Sequence, residues 1–171
     1  ELSEIASYCT IDFKGVEKKW TEVFRRLSLV IYNIQNAIYL TETNKLSGNA
    51  LAINKELKTH YNSNTGMLKS KTLLICKDRE FEFSKSDLEK TYKHPFEYCK
   101  MDKIVQAIND KDSNYAIFFP TIAINKYVWI FDAATYIPLY YNFELKGQKI
   151  DKKDLEDIAS SSSSAFAKDW A

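Results

Sequence analysis

Cys76, Cys99 and His94 are the residues of this 171-residue chain whose types could perform covalent chemistry. Each cysteine stands at the carboxyl end of a short strand-like run, and ligands of open α/β sheets bind along that edge. A thiol nucleophile with His94 as its base would make a small thiol-dependent or acid–base hydrolase. The plainer reading has both cysteines buried as small apolar side chains. A disulfide between them is a third reading, against which stands the geometry of adjacent parallel strands, rarely suited to the bond. His94 precedes Pro95 at a helix-to-strand junction and suits a local turn contact, while His60, late on a helix, suits the negative end of the helix dipole. Glu80 and Glu82 flank Phe81 and could act as paired carboxylates, or simply face solvent. Asp132 opens the segment Asp132-Ala-Ala-Thr135, where an aspartate bonds backbone amides two residues on and so explains itself as hairpin chemistry.

Phosphate and metal chemistry find no support. Gly15, Gly48, Gly66 and Gly147 are too far apart for a glycine-rich phosphate cradle. Cys9, Cys76 and Cys99 form no C-x-x-C pair and show no zinc spacing with His60 or His94. No cofactor and no metal are expected.

These side chains must be placed by the elements around them. Val16, Trp20, Val23, Phe24, Leu27, Val30, Ile31, Ile34, Ala37 and Ile38 recur at steps of three and four, the stripe of a long amphipathic helix. Leu46, Ala50, Ile53, Leu57 and Tyr61 repeat the period, and the short polar link Thr41–Lys45 makes the two an antiparallel hairpin. Beyond Asn62–Gly66, read as a loop, the pattern changes. Strands are expected at Lys71–Cys76, Phe96–Lys100, Tyr115–Ile124, Tyr127–Phe131 and Tyr136–Phe143. Helices are expected from the capping-box spacing Ser86-Asp-Leu-Glu89, from Asp102, and from Asp151 into the serine tract Ser160–Ser164. The expected fold is α+β, α/β-like in its middle. An N-terminal helical hairpin (15–61) packs on a mixed, roughly five-stranded sheet with crossover helices on the other face (68–143), followed by a C-terminal helix (151–170), all in one domain of 1–171.

Tyr127, Trp129 and Phe131 alternate with Val128 and Ile130, and Tyr136, Pro138 and Tyr140 alternate with Ile137, Leu139 and Tyr141. Neither face is polar, so both need cover. The hairpin is expected over the aromatic face and the two crossover helices together over the other, making three layers. Should the aromatic face stay open instead, Tyr127, Trp129, Tyr136 and Tyr140 would form a binding platform for a glycan, a small molecule or a protein.

Composition narrows the partners. Phe 10, Tyr 11 and Trp 3, with 45% apolar residues, belong to a chain that buries a core. Twenty-four basic and twenty-three acidic side chains are interspersed, so no broad basic field exists for nucleic acid. The longest apolar run, Tyr115–Ile124, is too short to span a bilayer. The chain opens on Glu1, which fits a processed product with a targeting segment removed.

The segments Leu68–Ile75, Asp87–Phe96, Ile104–Ile108 and Asn114–Ile117 follow one another closely. Together they resemble a module of uncharacterised secreted or cell-envelope proteins of Bacteroidetes bacteria. In that module a strand, a helix ending in Tyr-x-x-Pro-[Tyr/Phe], a second strand, a helix and a Tyr-Ala strand succeed one another, and here the tyrosine segment is Tyr92-Lys-His-Pro95-Phe96. Asp132-Ala-Ala-Thr135 is similar to the Asp-Ala-x-Thr-Gly turn of such modules, with Tyr136 where glycine is usual. The resemblance covers Leu68 to Tyr141. It implies a periplasmic or secreted location and no particular activity. The expectation is therefore a non-catalytic binding or interaction module, with a Cys76/Cys99–His94 hydrolase and a structural subunit of an envelope assembly as the alternatives.

Overall fold

The computed structural model describes residues 50–164 apart from 80, 123, 124 and 146, with a few helical positions between 31 and 43. Most of the expected N-terminal hairpin, with Trp20, Phe24 and Cys9, lies outside the described residues. The chain divides into two units, Glu1–Leu57 and Lys58–Ala171, and the second carries the sheet. Helix α1 (Ala50–Asn62) ends in this second unit and leads into a 3-10 helix, Thr65–Ser70, which begins within the loop expected over Asn62–Gly66. Then follow β1 (Thr72–Cys76), α2 (Lys85–Thr91), β2 (Phe96–Cys99), α3 (Met101–Asn109), β3 (Tyr115–Ile122), β4 (Asn125–Asp132), β5 (Pro138–Leu145) and α4 (Lys152–Ser164).

The fold is α+β with one mixed five-stranded sheet in the order β2-β1-β3-β4-β5. β1 pairs in parallel with β2 and with β3, and the β3-β4-β5 meander is antiparallel. One face carries Leu73 and Ile75, Ala116 and Phe118, Val128 and Ile130, and Tyr140. Leu68 of the 3-10 helix, Leu88 of α2, and Leu155 and Ile158 of α4 pack on it. The other face carries Leu74, Cys76, Cys99, Ile117 and Ala133 beneath Ile104 and Ala107 of α3.

The crossover helices therefore lie on opposite faces, not together as the sequence pattern suggested. Both crossovers obey one handedness, but β1 to β2 moves outward while β2 to β3 moves back across β1. Reversing the direction of travel reverses the face on which a crossover of fixed hand must lie.

Helix starts show similar local competition. α2 begins two residues earlier than the Ser86 spacing implies. Ser84 caps it, accepting from the Asp87 amide at 3.1 Å while Asp87 accepts from the Ser84 amide at 2.9 Å. α3 starts at Met101 with Lys100 before it and no side-chain cap, so Asp102 sits in the first turn instead of capping. Asp151 does cap α4, accepting from the Lys153 amide at 3.0 Å, and Asp154 accepts from the Asp151 amide at 2.9 Å. The helix runs through the serine tract, whose polar side chains find partners on the helix itself: Ser160 and Ser163 donate to carbonyls four residues earlier.

Register corrects the assignment of the aromatic rings. Trp129 stands opposite Tyr141, and Ile130 opposite Tyr140. A register shift between Ile130 and Phe131, which places Phe131 opposite Pro138, puts one extra residue into β5 and flips its parity. Tyr140 thus lies on the face away from Trp129, in the core with α4. Tyr127, Trp129 and Tyr140 are all buried, and Trp129 packs against Tyr141, Phe131 and Tyr61 at ring distances of 4.2, 5.3 and 5.7 Å. Tyr136 is half-buried in the turn with φ of 61°, a left-handed conformation that glycine adopts most readily.

Candidate functional site

The structure separates the thiols from the histidine. Cys76 and Cys99 end their strands side by side, buried on the α3 face. His94 precedes β2 at its opposite end, five residues from Cys99, or roughly 16 Å at the rise of a strand. It also belongs to the other face. Its ring meets Tyr92 edge-on at 5.2 Å, and its Nε2 lies 3.2 Å from the Ser162 hydroxyl of α4. That hydroxyl donates to the Ala159 carbonyl, which leaves its oxygen to accept from the imidazole. Burial and the nearby Lys69 ammonium push the His94 pKa down, favouring the neutral imidazole. Burial, reinforced by the Glu97 carboxylate, pushes the Cys99 thiol up, the reverse of what a nucleophile needs. No thiol–imidazole pair is formed by these residues.

Of the two candidate paired carboxylates only Glu82 falls among the described residues. Glu80 lies outside the described residues, and Glu82 is exposed and ion-paired to Lys149 at 2.7 Å. His60 lies in the last turn of α1, where the dipole argument placed it. Asp132 behaves as the turn residue the sequence suggests: its Oδ1 accepts from the amides of Ala134 and Thr135, both at 2.9 Å. Its second oxygen pairs with the buried ammonium of Lys71, which the sequence placed only as the start of a strand. Among the described residues no group of histidines, cysteines and carboxylates is arranged to hold a metal ion.

What the fold does build is a cavity of about 740 Å³ at the carboxyl ends of β1 and β2. Its apolar lining belongs to the face that α2 and α4 cover: Phe83 and Ile150 are part of that core, with Phe81 and Tyr98 packed against it. Lys77, Arg79, Phe81, Glu82 and Phe83 of the segment after β1 line the cavity, with Lys85 at the start of α2, Tyr98 of β2 and Gln148–Ile150 before α4.

Two backbone contacts hold the walls. The Glu82 amide donates to the Ile150 carbonyl at 2.8 Å, and Glu82 bridges in parallel to Asp151. The apolar part is a stacked pair, Phe81 and Phe83, with ring centres 5.0 Å apart and planes within 4°. Both rings lean on Phe118 of β3, at 5.6 and 6.4 Å, so the sheet fixes their position. Among the described lining residues four are cations, Lys77, Arg79, Lys85 and Lys149, and one is a carboxylate, Glu82, which is ion-paired to Lys149 at 2.7 Å. Arg79 is held in place by donating to the Pro120 carbonyl and lying 5.1 Å above the Phe119 ring.

Sequence reasoning missed this site although it considered its neighbours. The alternation Lys77, Arg79, Phe81, Phe83, Lys85 is visible in the sequence, but it reads as a solvated loop until Tyr98 and Gln148–Ile150 close the opposite walls. Among the described residues no helix is long and apolar enough to cross a membrane. No family model matches the chain, and no curated protein or solved structure is detectably similar to it.

Proposed function

We propose that this chain is a non-catalytic binding domain of an exported protein, and that its ligand is a small anion with an apolar or aromatic body. The observation that carries the reading is the cavity wall: among its described residues, Lys77, Arg79 and Lys85 and the paired Lys149 and Glu82 surround a stacked phenylalanine pair. Such a wall favours a negative group at its rim and a flat apolar body against the rings. Its volume falls within the range of small-molecule sites, roughly 300–1,000 Å³. Separation of Cys76 and Cys99 from His94 supports binding over hydrolysis. The periplasmic or secreted setting rests on the similarity of Leu68–Tyr141 to envelope modules.

Calorimetric titration with 1-naphthyl phosphate tests this reading, with neutral 1-naphthol as the comparison. The charge-reversed variant Lys77→Glu/Lys85→Glu removes two cations at exposed positions, and a glutamate in the first turn of α2 suits the helix dipole, so folding is preserved. Binding of the phosphate should weaken by roughly tenfold or more in the variant and fall with added salt, while naphthol binding stays unchanged. Equal affinity of both proteins for the phosphate would sink the proposal.

A further inference from the structure

Neither Cys76 nor Cys99 lines the cavity; both lie in the core beneath α3, on the other face of the sheet. Cys76 and Cys99 are register partners on neighbouring parallel strands. The Lys77 amide donates to the Cys99 carbonyl at 2.9 Å, so the ladder is intact through this rung. Strands so paired run about 4.8 Å apart, within the Cα separation of ~4.4–6.8 Å that a disulfide spans. Register partners in a parallel pair project to the same side, and both sulfurs enter one small cluster with Leu74, Ile104, Ala107, Ile117 and Ala133. Within a regular parallel ladder the Cβ atoms stand slightly too far apart for the bond, which is why such crosslinks are rare. This rung is the last of its ladder. Beyond it the chain leaves β1 and β2 for opposite faces, so the strand ends are free to take up the small approach a bond requires.

Both thiols are free in this structure and both are buried. We propose that Cys76 and Cys99 are a redox pair that closes to a cross-strand disulfide when the chain folds in the presence of a small disulfide oxidant. The thiolate of one cysteine attacks oxidised glutathione, forming a mixed disulfide and releasing one glutathione thiolate. The second thiolate then attacks the protein sulfur of that mixed disulfide and expels the other glutathione. Two cysteine thiols are oxidised to one S–S bond, one glutathione disulfide is reduced to two thiols, and the two protons pass to the departing thiolates. In the folded chain both sulfurs are buried away from the oxidant, so the bond forms during folding and afterwards exchanges slowly. It is a structural clamp on the strand ends that carry Lys77 and Tyr98, and it stands independently of any ligand in the cavity.

The test uses the full chain with Cys9→Ser, which leaves only the pair. Reduced, unfolded protein is refolded in mixed reduced and oxidised glutathione, quenched by alkylation and mapped after trypsin. The proposal expects the peptide Thr72–Lys77 linked to His94–Lys100, and a melting temperature about 5 °C or more above that of the reduced form. The same map is made on protein oxidised for days at pH ~8.5 without unfolding, where the linked peptide should also accumulate, more slowly. Folded protein with both cysteines alkylated, or each carrying its own glutathione, overturns the pair in either experiment.

Discussion

Asp132 holds three groups with its two side-chain oxygens. One oxygen closes the turn through the amides of Ala134 and Thr135, and the other meets the Lys71 ammonium. Burial alone would raise its pKa, but the Lys71 hydrogen bond and the two amides hold the carboxyl below its ordinary value. Asp132→Ala should therefore cost about 3–5 kcal/mol at neutral pH, because it leaves Lys71 buried without its counter-charge. The sign with pH follows from the depressed pKa. The contribution is fully present above the unfolded value of about 3.9 and is lost as pH falls through the lower folded value. Urea unfolding of both proteins should show the gap closing below pH ~4. A gap that persists at pH ~2 would mean the ion pair is not its source.

At the scale of elements, legibility tracked how local the cause was. The Asp132 turn and the Asp151 cap were readable because their partners lie within three residues. The capping-box spacing from Ser86 placed the start of α2 two residues late, because the reciprocal bonds run between Ser84 and Asp87. The face of each crossover and the bulge in β5 depend on strand order and register, which no local pattern carries. The buried cation Lys126 was hidden for the same reason. It sits at the start of β4, and its partners, Glu144 of β5 and Asp154 of α4, arrive only when the sheet is complete. Burial would lower the Lys126 amine, but hydrogen bonds to Glu144 and Asp154 hold it above its ordinary value. Gly147 passes so close that a Cβ there would lie 2.7 Å from that of Lys126. Lys126→Met should destabilise by about 3–5 kcal/mol by stranding Asp154, and adding Asp154→Asn should return part of the loss. Chemical denaturation of the single and double variants checks this. Additive losses would show that Lys126 and Asp154 do not act as a pair.

For the sheet as a whole, the question is how its two edges are finished. Parallel β1 lies between β2 and β3, and the meander carries the sheet on to β5, so β2 and β5 are the outer strands. Exposed strand edges invite pairing with other chains, and proteins blunt them by covering or shortening them. β5 is covered. Asn62 Oδ1 accepts from the outward amide of Tyr141 at 2.8 Å, and Asn64 Nδ2 donates to the Pro138 carbonyl at 3.2 Å, so the turn after α1 is bonded along this edge. β2 is short instead, only Phe96–Cys99. Since the Leu73 and Lys77 amides bond to the carbonyls of Pro95 and Cys99, the alternation of the ladder turns the amides of Phe96 and Tyr98 away from β1. Hydrogen exchange should separate the two strategies. Amides of Ile117 and Phe118 in the sheet interior should exchange slowest, and those of Phe96 and Tyr98 at least roughly 100-fold faster. Tyr141, although on an edge, should be protected like an interior amide and lose that protection in Asn62→Ala. A Tyr141 amide that exchanges as fast as Phe96 in the unaltered chain would show that the asparagine contact does not close the edge.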